Sequence, residues 1–72
     1  MAIEYDTEVE DLTTKPYVLV KDENGDYVWE KFYNEQYTAE VIVEEFKRQG
    51  QFYIRYEDGL GRITTYTRKT NN

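Results

Sequence analysis

The first segment of the chain alternates strictly between acidic and non-acidic side chains. Across residues 3–9, every second residue is aliphatic, tyrosine or threonine, and the residues between them are Glu or Asp. A period of two is typical of a β-strand with one face packed and the other in solvent. The pattern therefore predicts a strand. A frayed acidic arm is the alternative, because Glu and Asp have poor strand propensity.

Two segments rich in β-branched and aromatic residues follow, at residues 17–21 and 27–32. The turn between them begins with Asp22, which can open a type I turn, and contains Gly25, which can take the left-handed position of a G1 bulge. These features predict a β-hairpin. A two-residue turn centred on Asn24 and Gly25 would mix apolar and polar side chains on both faces, so the bulged turn is preferred.

The register of this hairpin decides which side chains share a face. The bulged turn pairs Lys21 with Tyr27 and Val20 with Val28, which segregates the apolar side chains. One predicted face carries Val18, Val20, Val28 and Phe32. The other predicted face carries Tyr17, Leu19, Tyr27 and Trp29, together with Lys21 and Lys31.

An amphipathic helix is predicted after the hairpin. Thr38 can cap its first amides, and Tyr37 can form a hydrophobic staple with Ile42. Gly50 is the predicted left-handed stop. Apolar residues recur at i, i+3, i+4 and i+7, a spacing that forms one stripe: Ala39, Ile42, Val43 and Phe46.

A second hairpin is predicted from residues 51–57 and 62–68, around the glycine-rich turn 58–61. A loop of two residues and a loop of four give the same faces. One predicted face carries Phe52, Ile54, Tyr56, Ile63, Thr65 and Thr67. The other carries Tyr53, Arg55, Glu57, Arg62, Thr64, Tyr66 and Arg68.

The element order is therefore β-ββ-α-ββ, and it predicts a small single α+β domain over residues 1–72. In this fold one helix covers an antiparallel sheet. A partly closed five-stranded barrel with one helix is the alternative. Phe46, Ile42 and Ile54 are the predicted core beneath the helix, and residues 69–72 are predicted to form a loose C-terminal tail.

Composition narrows the chemistry. The chain of 72 residues has 15 acidic and 9 basic side chains, a net charge of -6, no His and no Cys. These counts exclude Cys/His zinc sites, thiol nucleophiles, imidazole bases and disulfides. Adjacent carboxylates such as Glu44 and Glu45 are expected to be surface acids, since an acid/base pair needs two different environments. We predict no enzymatic activity, no cofactor and no metal.

Localisation is expected to be cytoplasmic, and a mature secreted fragment is the alternative, although such a small extracellular domain would lack the usual disulfides. The chain has no apolar run of about 18 residues and no basic stretch followed by an apolar core, so neither a membrane span nor a secretory signal is predicted. No membrane partner is therefore expected.

The acidic residues of the first strand form the main candidate site. Glu4, Asp6, Glu8 and Glu10 share one predicted face, and alternate residues of a strand recur at about 6.8 Å. Duplex phosphates advance about 3.4 Å per nucleotide, so the row would match every second phosphate. This spacing predicts a partner-binding surface that mimics nucleic acid. The competing interpretation is that the charges protect an edge strand from aggregation.

Two further surfaces are predicted. Tyr17, Tyr27 and Trp29 form a candidate aromatic partner-binding face, because Tyr and Trp are enriched at interfaces. The second surface could stack bases and contact phosphates, or dock on the acidic row of another copy to form a homodimer. It consists of Tyr53, Arg55, Arg62, Tyr66 and Arg68.

The leading hypothesis is a small acidic protein-binding module that inhibits a nucleic-acid-binding enzyme by phosphate mimicry. Such a chain is similar in size and charge alone to inhibitors encoded by phages and mobile elements. The second hypothesis is a single-stranded nucleic-acid binder that uses the tyrosine and arginine face. It ranks lower because the net charge of -6 repels nucleic acid. The third hypothesis is an accessory or structural subunit.

Overall fold

The computed structural model describes residues 4–11 and 15–69, apart from the side chains of Glu10 and Asp11. It confirms the α+β class and the predicted element order. The elements are β1 (Tyr5–Asp11), β2 (Pro16–Lys21), β3 (Tyr27–Phe32), α1 (Gln36–Gln49), β4 (Tyr53–Asp58) and β5 (Arg62–Arg68). Ile3 and the predicted tail beyond residue 69 lie outside the described residues.

All five strands belong to one open antiparallel sheet. Their order is β1-β5-β4-β2-β3, so β1 and β3 are the two edge strands. Because the sheet does not close, the barrel alternative is not the fold of this chain. Helix α1 packs mainly on β4 and β2, which are central strands.

The apolar stripe of α1 packs on the centre of the sheet as predicted. Ala39 and Val43 are buried in a cluster with residues of β2 and β4. Ile42 and Phe46 are half-buried and pack against this cluster. The sheet contributes Val18, Val20, Ile54 and Tyr56 to it. The stripe was predictable because the helical period is fixed, so the spacing of apolar residues within this one segment shows which of them share a face.

The start of the helix differs from the prediction. It begins at Gln36, and the amide of Ala39 already donates to the carbonyl of Glu35, so the first turn closes before Thr38 can cap it. Tyr37 is 73% exposed and makes no staple. The predicted stop is confirmed, since Gly50 has φ +80° and its amide donates to the carbonyl of Lys47.

The first turn forms as predicted. The Gly25 amide donates to the Asp22 carbonyl at 3.0 Å, and Gly25 has φ +86°. The Asp22 carboxylate accepts from the amides of Asn24 at 2.9 Å and Asp26 at 3.0 Å. These bonds satisfy the turn amides and fix the hairpin connection.

The predicted register holds for only one residue pair beyond this turn. Lys21 pairs with Tyr27, but a second bulge follows, and Val20 pairs with Trp29 rather than Val28. The predicted faces are therefore wrong for most of β3. The packing gives the reason, because the Trp29 ring now contacts Phe46 on the helix side at 5.7 Å between centroids.

On the opposite side of the sheet, Phe32 contacts Tyr17 at 4.6 Å between ring centroids. Phe32 was predicted to share a face with Val18 and Val20, and the register excludes this, since Val18 pairs with Lys31 and Tyr17 with Phe32. Directly opposed residues of an antiparallel pair share a face.

The second hairpin has an odd number of residues in its loop, whereas the prediction had an even number. Ile54 pairs with Tyr66 and Glu57 with Ile63, which leaves an odd number of residues in the connection. The Asp58 carboxylate accepts from the amides of Leu60 at 2.7 Å and Arg62 at 3.1 Å, and the two glycines of the loop have positive φ. The predicted faces of β5 are therefore exchanged: Thr64 and Tyr66 lie on the helix side, and Ile63, Thr65 and Thr67 on the other.

Candidate interaction surfaces

Strand β1 carries the acidic row at an open edge of the sheet. Asp6 pairs with Thr67 and Glu8 with Thr65, so both acids lie on the face away from the helix. Glu4 precedes the strand, and its carbonyl accepts the amide of Lys69 at 2.9 Å. All three acidic residues are exposed. Glu10 occupies the register position opposite Ile63.

Tyr5 holds this edge strand on the rest of the fold. Its hydroxyl donates to the Gln51 carbonyl at 2.7 Å, just beyond the end of α1. Its ring meets the Tyr66 ring edge-on, at 6.2 Å between centroids. Burial raises the pKa of Tyr5, and the nearby Arg68 opposes this effect. Tyr5 therefore anchors the start of β1 on the helix side, and the acids Asp6 and Glu8 on the other face are exposed.

The charges of the row are poorly neutralised. Lys69 lies 3.6 Å from the Asp6 carboxylate, and within the described residues no lysine or arginine nitrogen lies within 4 Å of Glu4 or Glu8. The helix acids differ, because Glu44 and Glu45 each face a cation one turn along, Lys47 at 3.6 Å and Arg48 at 2.6 Å. The neighbours of Asp6 and Glu8 on β5 are the uncharged Thr67 and Thr65, which do not offset the negative charge of these two acids.

The candidate aromatic face does not exist as one surface. Tyr17 is buried on the side away from the helix, and its hydroxyl donates to the Glu30 carboxylate. Trp29 lies on the helix side, and the exposed Tyr27 stands beside the Lys21 ammonium at 5.1 Å from the ring centroid. Tyr17 and Tyr27 share the face away from the helix, as predicted, but Trp29 does not, because the bulge at Val28 exchanges the faces of the residues that follow it.

The tyrosine and arginine face is also divided. Tyr53 and Arg55 lie away from the helix, whereas Tyr66, on the other side of the sheet, is half-buried beside α1. Arg62 and Arg68 share the face of Tyr66 by register. The placement of these five residues on one surface is therefore wrong, and the cause is the odd loop of the second hairpin.

Two of these arginines already have partners within the chain. Arg55 donates to the Glu57 carboxylate at 3.1 Å, and this hydrogen bond raises the pKa of Arg55. Arg68 donates to the Glu23 carboxylate and, at 2.7 Å, to the carbonyl of Gly50. Arg68 thereby ties the first turn to the end of α1. A phosphate would therefore have to compete with these carboxylates for either guanidinium.

Sequence reasoning did not identify β3 as an exposed edge. Every residue of this strand is exposed, including Tyr27, Val28, Trp29 and Phe32. Its position could not be predicted without the strand order. One local signal was present, namely the charged pair Glu30 and Lys31 inside an aromatic segment, because charges of this kind are typical of edge strands.

The described part of the chain has neither a helix suited to crossing a membrane nor a cluster suited to a metal ion. None of its helices is both long and apolar enough to cross a membrane. In the same residues, no three acidic side chains come together in a way that could hold a metal ion.

Comparison with models of known protein families, with curated proteins and with solved structures finds no significant match for this chain. Function must therefore be argued from its surfaces.

The buried tyrosines predict that the protein loses stability at alkaline pH. Burial, followed by the Glu40 carboxylate, raises the pKa of Tyr56 to about 12. Burial also raises the pKa of Tyr17, and its hydrogen bond to Glu30 adds to the effect. An ordinary tyrosine pKa is about 10, so above that pH the unfolded chain loses protons that the folded chain retains. The stabilisation is complete below pH 10 and is lost as the pH rises toward 12.

Urea unfolding at a series of pH values measures this effect. We expect the free energy of unfolding to fall above about pH 10, with a slope of up to about 1.4 kcal/mol per pH unit for each tyrosine involved. Tyr56→Phe should reduce the slope, since it removes one of these groups. An unchanged slope in this variant would contradict the assignment to Tyr56.

Proposed function

We propose that this chain is a protein-binding module that docks its acidic β1 edge on a basic, nucleic-acid-binding surface of another protein. Occupying that surface would exclude nucleic acid, so the module acts as an inhibitor by phosphate mimicry. The observation that carries the proposal is the row of exposed acids on an edge strand, of which only Asp6 has a cation nearby among the described residues.

The spacing of the row supports this interaction. Alternate residues of β1 recur at about 6.8 Å, close to two nucleotide steps along a duplex. The row lies on one face of a sheet, where backbone pairing with β5 fixes its geometry. The backbone positions of the acids are therefore ordered before binding, and the net charge of -6 steers the module toward a cationic surface.

Direct binding of single-stranded nucleic acid receives no such support. Tyr53 and Tyr66 lie on opposite sides of the sheet and cannot form one stacking platform. Arg55 and Arg68 are engaged by carboxylates of the chain. The net negative charge opposes binding further.

Neutralising the row is expected to abolish capture of the partner. The test variant combines Glu4→Gln, Asp6→Asn and Glu8→Gln. A matched control removes the same number of charges from exposed acids elsewhere, with Asp26→Asn, Glu35→Gln and Glu44→Gln. Each protein is immobilised and exposed to an extract of the source organism, and the captured proteins are identified by mass spectrometry. We expect the wild type and the control to capture a nucleic-acid-binding protein that the row variant does not.

Competition tests whether the row imitates phosphates. Duplex DNA or RNA added to the extract should displace the captured protein, and raised salt should weaken capture steeply. Capture by the row variant at the wild-type level, with all variants giving normal thermal transitions, would contradict the proposal. In that case the acids would serve only to prevent edge-to-edge aggregation.

A further inference from the structure

The second edge of the sheet is strand β3, which pairs with β2 on one side only and carries large apolar side chains. Phe32 is 65% exposed and Trp29 is 40% exposed, and they lie on opposite faces of β3. An exposed apolar edge strand can template pairing with another chain. This edge is separated from the acidic row by the three central strands, so the two surfaces are independent.

The backbone of β3 has hydrogen-bonding groups directed outward. The Tyr33 amide donates to the Pro16 carbonyl at 2.8 Å, which identifies this pair as hydrogen-bonded. Such pairs alternate along an antiparallel ladder, so Lys31 and Trp29 also direct their backbone groups toward β2. Glu30 and Phe32 therefore direct theirs to the open edge. Their amides and carbonyls are available to a sixth strand.

A second copy of the chain fits this edge poorly. Two copies of β3 related by a two-fold axis must place one residue opposite itself. An axis at Glu30 opposes two carboxylates, and an axis at Lys31 opposes two ammonium groups, and both arrangements are destabilising. An axis at Trp29 would bring the bulge at Val28 into the new ladder, and an axis at Phe32, the last residue of β3, would pair the strand with residues beyond its end. Pairing of β3 with β1 of another copy would leave free edges at both ends and continue as a fibre.

We propose that the β3 edge accepts an extended segment of another protein as an antiparallel sixth strand. Charge complementarity defines its chemistry, namely a basic residue opposite Glu30 and, next to it, an acidic residue opposite Lys31. Apolar residues stand on either side, opposite Trp29 and Phe32. The segment therefore reads apolar, acidic, basic, apolar from its N-terminus. Backbone hydrogen bonds to Glu30 and Phe32 hold the segment on the edge. The two cross-strand charge pairs favour a segment with the acidic residue before the basic one over a segment with the reverse order.

Two peptides of identical composition test the proposal. One is Thr-Val-Glu-Lys-Val-Thr, blocked at both ends, and the other exchanges the two central residues. Because Trp29 is the only tryptophan of the chain and lies on β3, its fluorescence reports binding at this edge. We expect the first peptide to shift the Trp29 emission at millimolar concentration. The second should bind about tenfold more weakly, since both cross-strand charge pairs become repulsive.

A charge-exchanged chain provides the reciprocal test. The double variant Glu30→Lys with Lys31→Glu should prefer the second peptide. If this variant does not fold, amide exchange in the wild type replaces it, because the first peptide should protect the outward amides of Glu30 and Phe32. Three results would overturn the proposal: no emission change with either peptide, equal binding of both, or self-association of the chain that shifts the Trp29 emission without peptide.

Discussion

Ile54→Ala is expected to lower the free energy of unfolding by about 2 to 5 kcal/mol. Ile54 is fully buried at the centre of β4, where it pairs with Val20 on one side and Tyr66 on the other. Helix α1 covers it, so the substitution leaves a buried cavity that the neighbouring side chains can fill only in part. Native domains are stable by only about 5 to 15 kcal/mol, and a small domain lies toward the low end. The variant should therefore unfold at much lower urea concentration than the wild type.

An exposed residue provides the control for this measurement. Leu60 lies in the second turn and is 77% exposed, so Leu60→Ala should change the free energy of unfolding by no more than about 0.5 kcal/mol. Both variants delete aliphatic groups of similar size. If Ile54→Ala and Leu60→Ala had equal effects, the helix-covered face would not be the core of the fold.

Features of local sequence were predictable. The stripe containing Ala39 and Val43 follows from helical periodicity, and the stop at Gly50 follows from the ease with which glycine adopts positive φ. The first turn was predictable for the same reason, because Asp22 and Gly25 act within the turn itself. No distant contact is needed to decide any of these features.

Which side chains share a face of the sheet was predictable only for residues of the same strand. The acidic row alternates along β1 without crossing a loop, and Asp6 and Glu8 do share a face. The tyrosine and arginine face required a correct parity across the second loop, and a single extra residue exchanges every side chain of the following strand. In the first hairpin, the bulge at Val28 had the same effect on Trp29 and Phe32.

The order of the strands in the sheet could not be predicted from local sequence patterns. The pairing of β1 with β5 joins the two ends of the described chain, and the contact of Tyr5 with Gln51 depends on it. Which strands form the edges decides whether the acids of β1 and the aromatic residues of β3 are accessible. The sequence predicted an amphipathic strand for the acidic row, and only the sheet order places that strand at an edge.

Gly59→Ala is expected to destabilise the fold by about 2 to 5 kcal/mol, the combined cost of a left-handed alanine and an overpacked contact. Gly59 has φ +78°, and a Cβ atom at this position would lie 2.5 Å from Cδ and 2.9 Å from Cγ of Pro16. The proline ring cannot rotate away, because its backbone nitrogen would also lie only 3.0 Å from the new atom. Pro16 begins β2, so relief of the contact would disturb the pairing of β2 with β4.

Gly25→Ala separates the cost of the left-handed backbone from the cost of the contact with Pro16. Gly25 has φ +86°, and a Cβ atom there would meet nothing within 4 Å, so only the backbone cost of about 1 to 2 kcal/mol is expected. The excess loss in Gly59→Ala then measures the contact with Pro16. Adding Pro16→Ala should recover most of this excess, since alanine lacks both ring atoms that the new Cβ approaches. Urea titration of Gly59→Ala, of Pro16→Ala and of the double variant that combines them gives the coupling free energy between the two positions. Equal losses for the two glycine substitutions, with no recovery in the double variant, would show that the second turn does not pack on the start of β2.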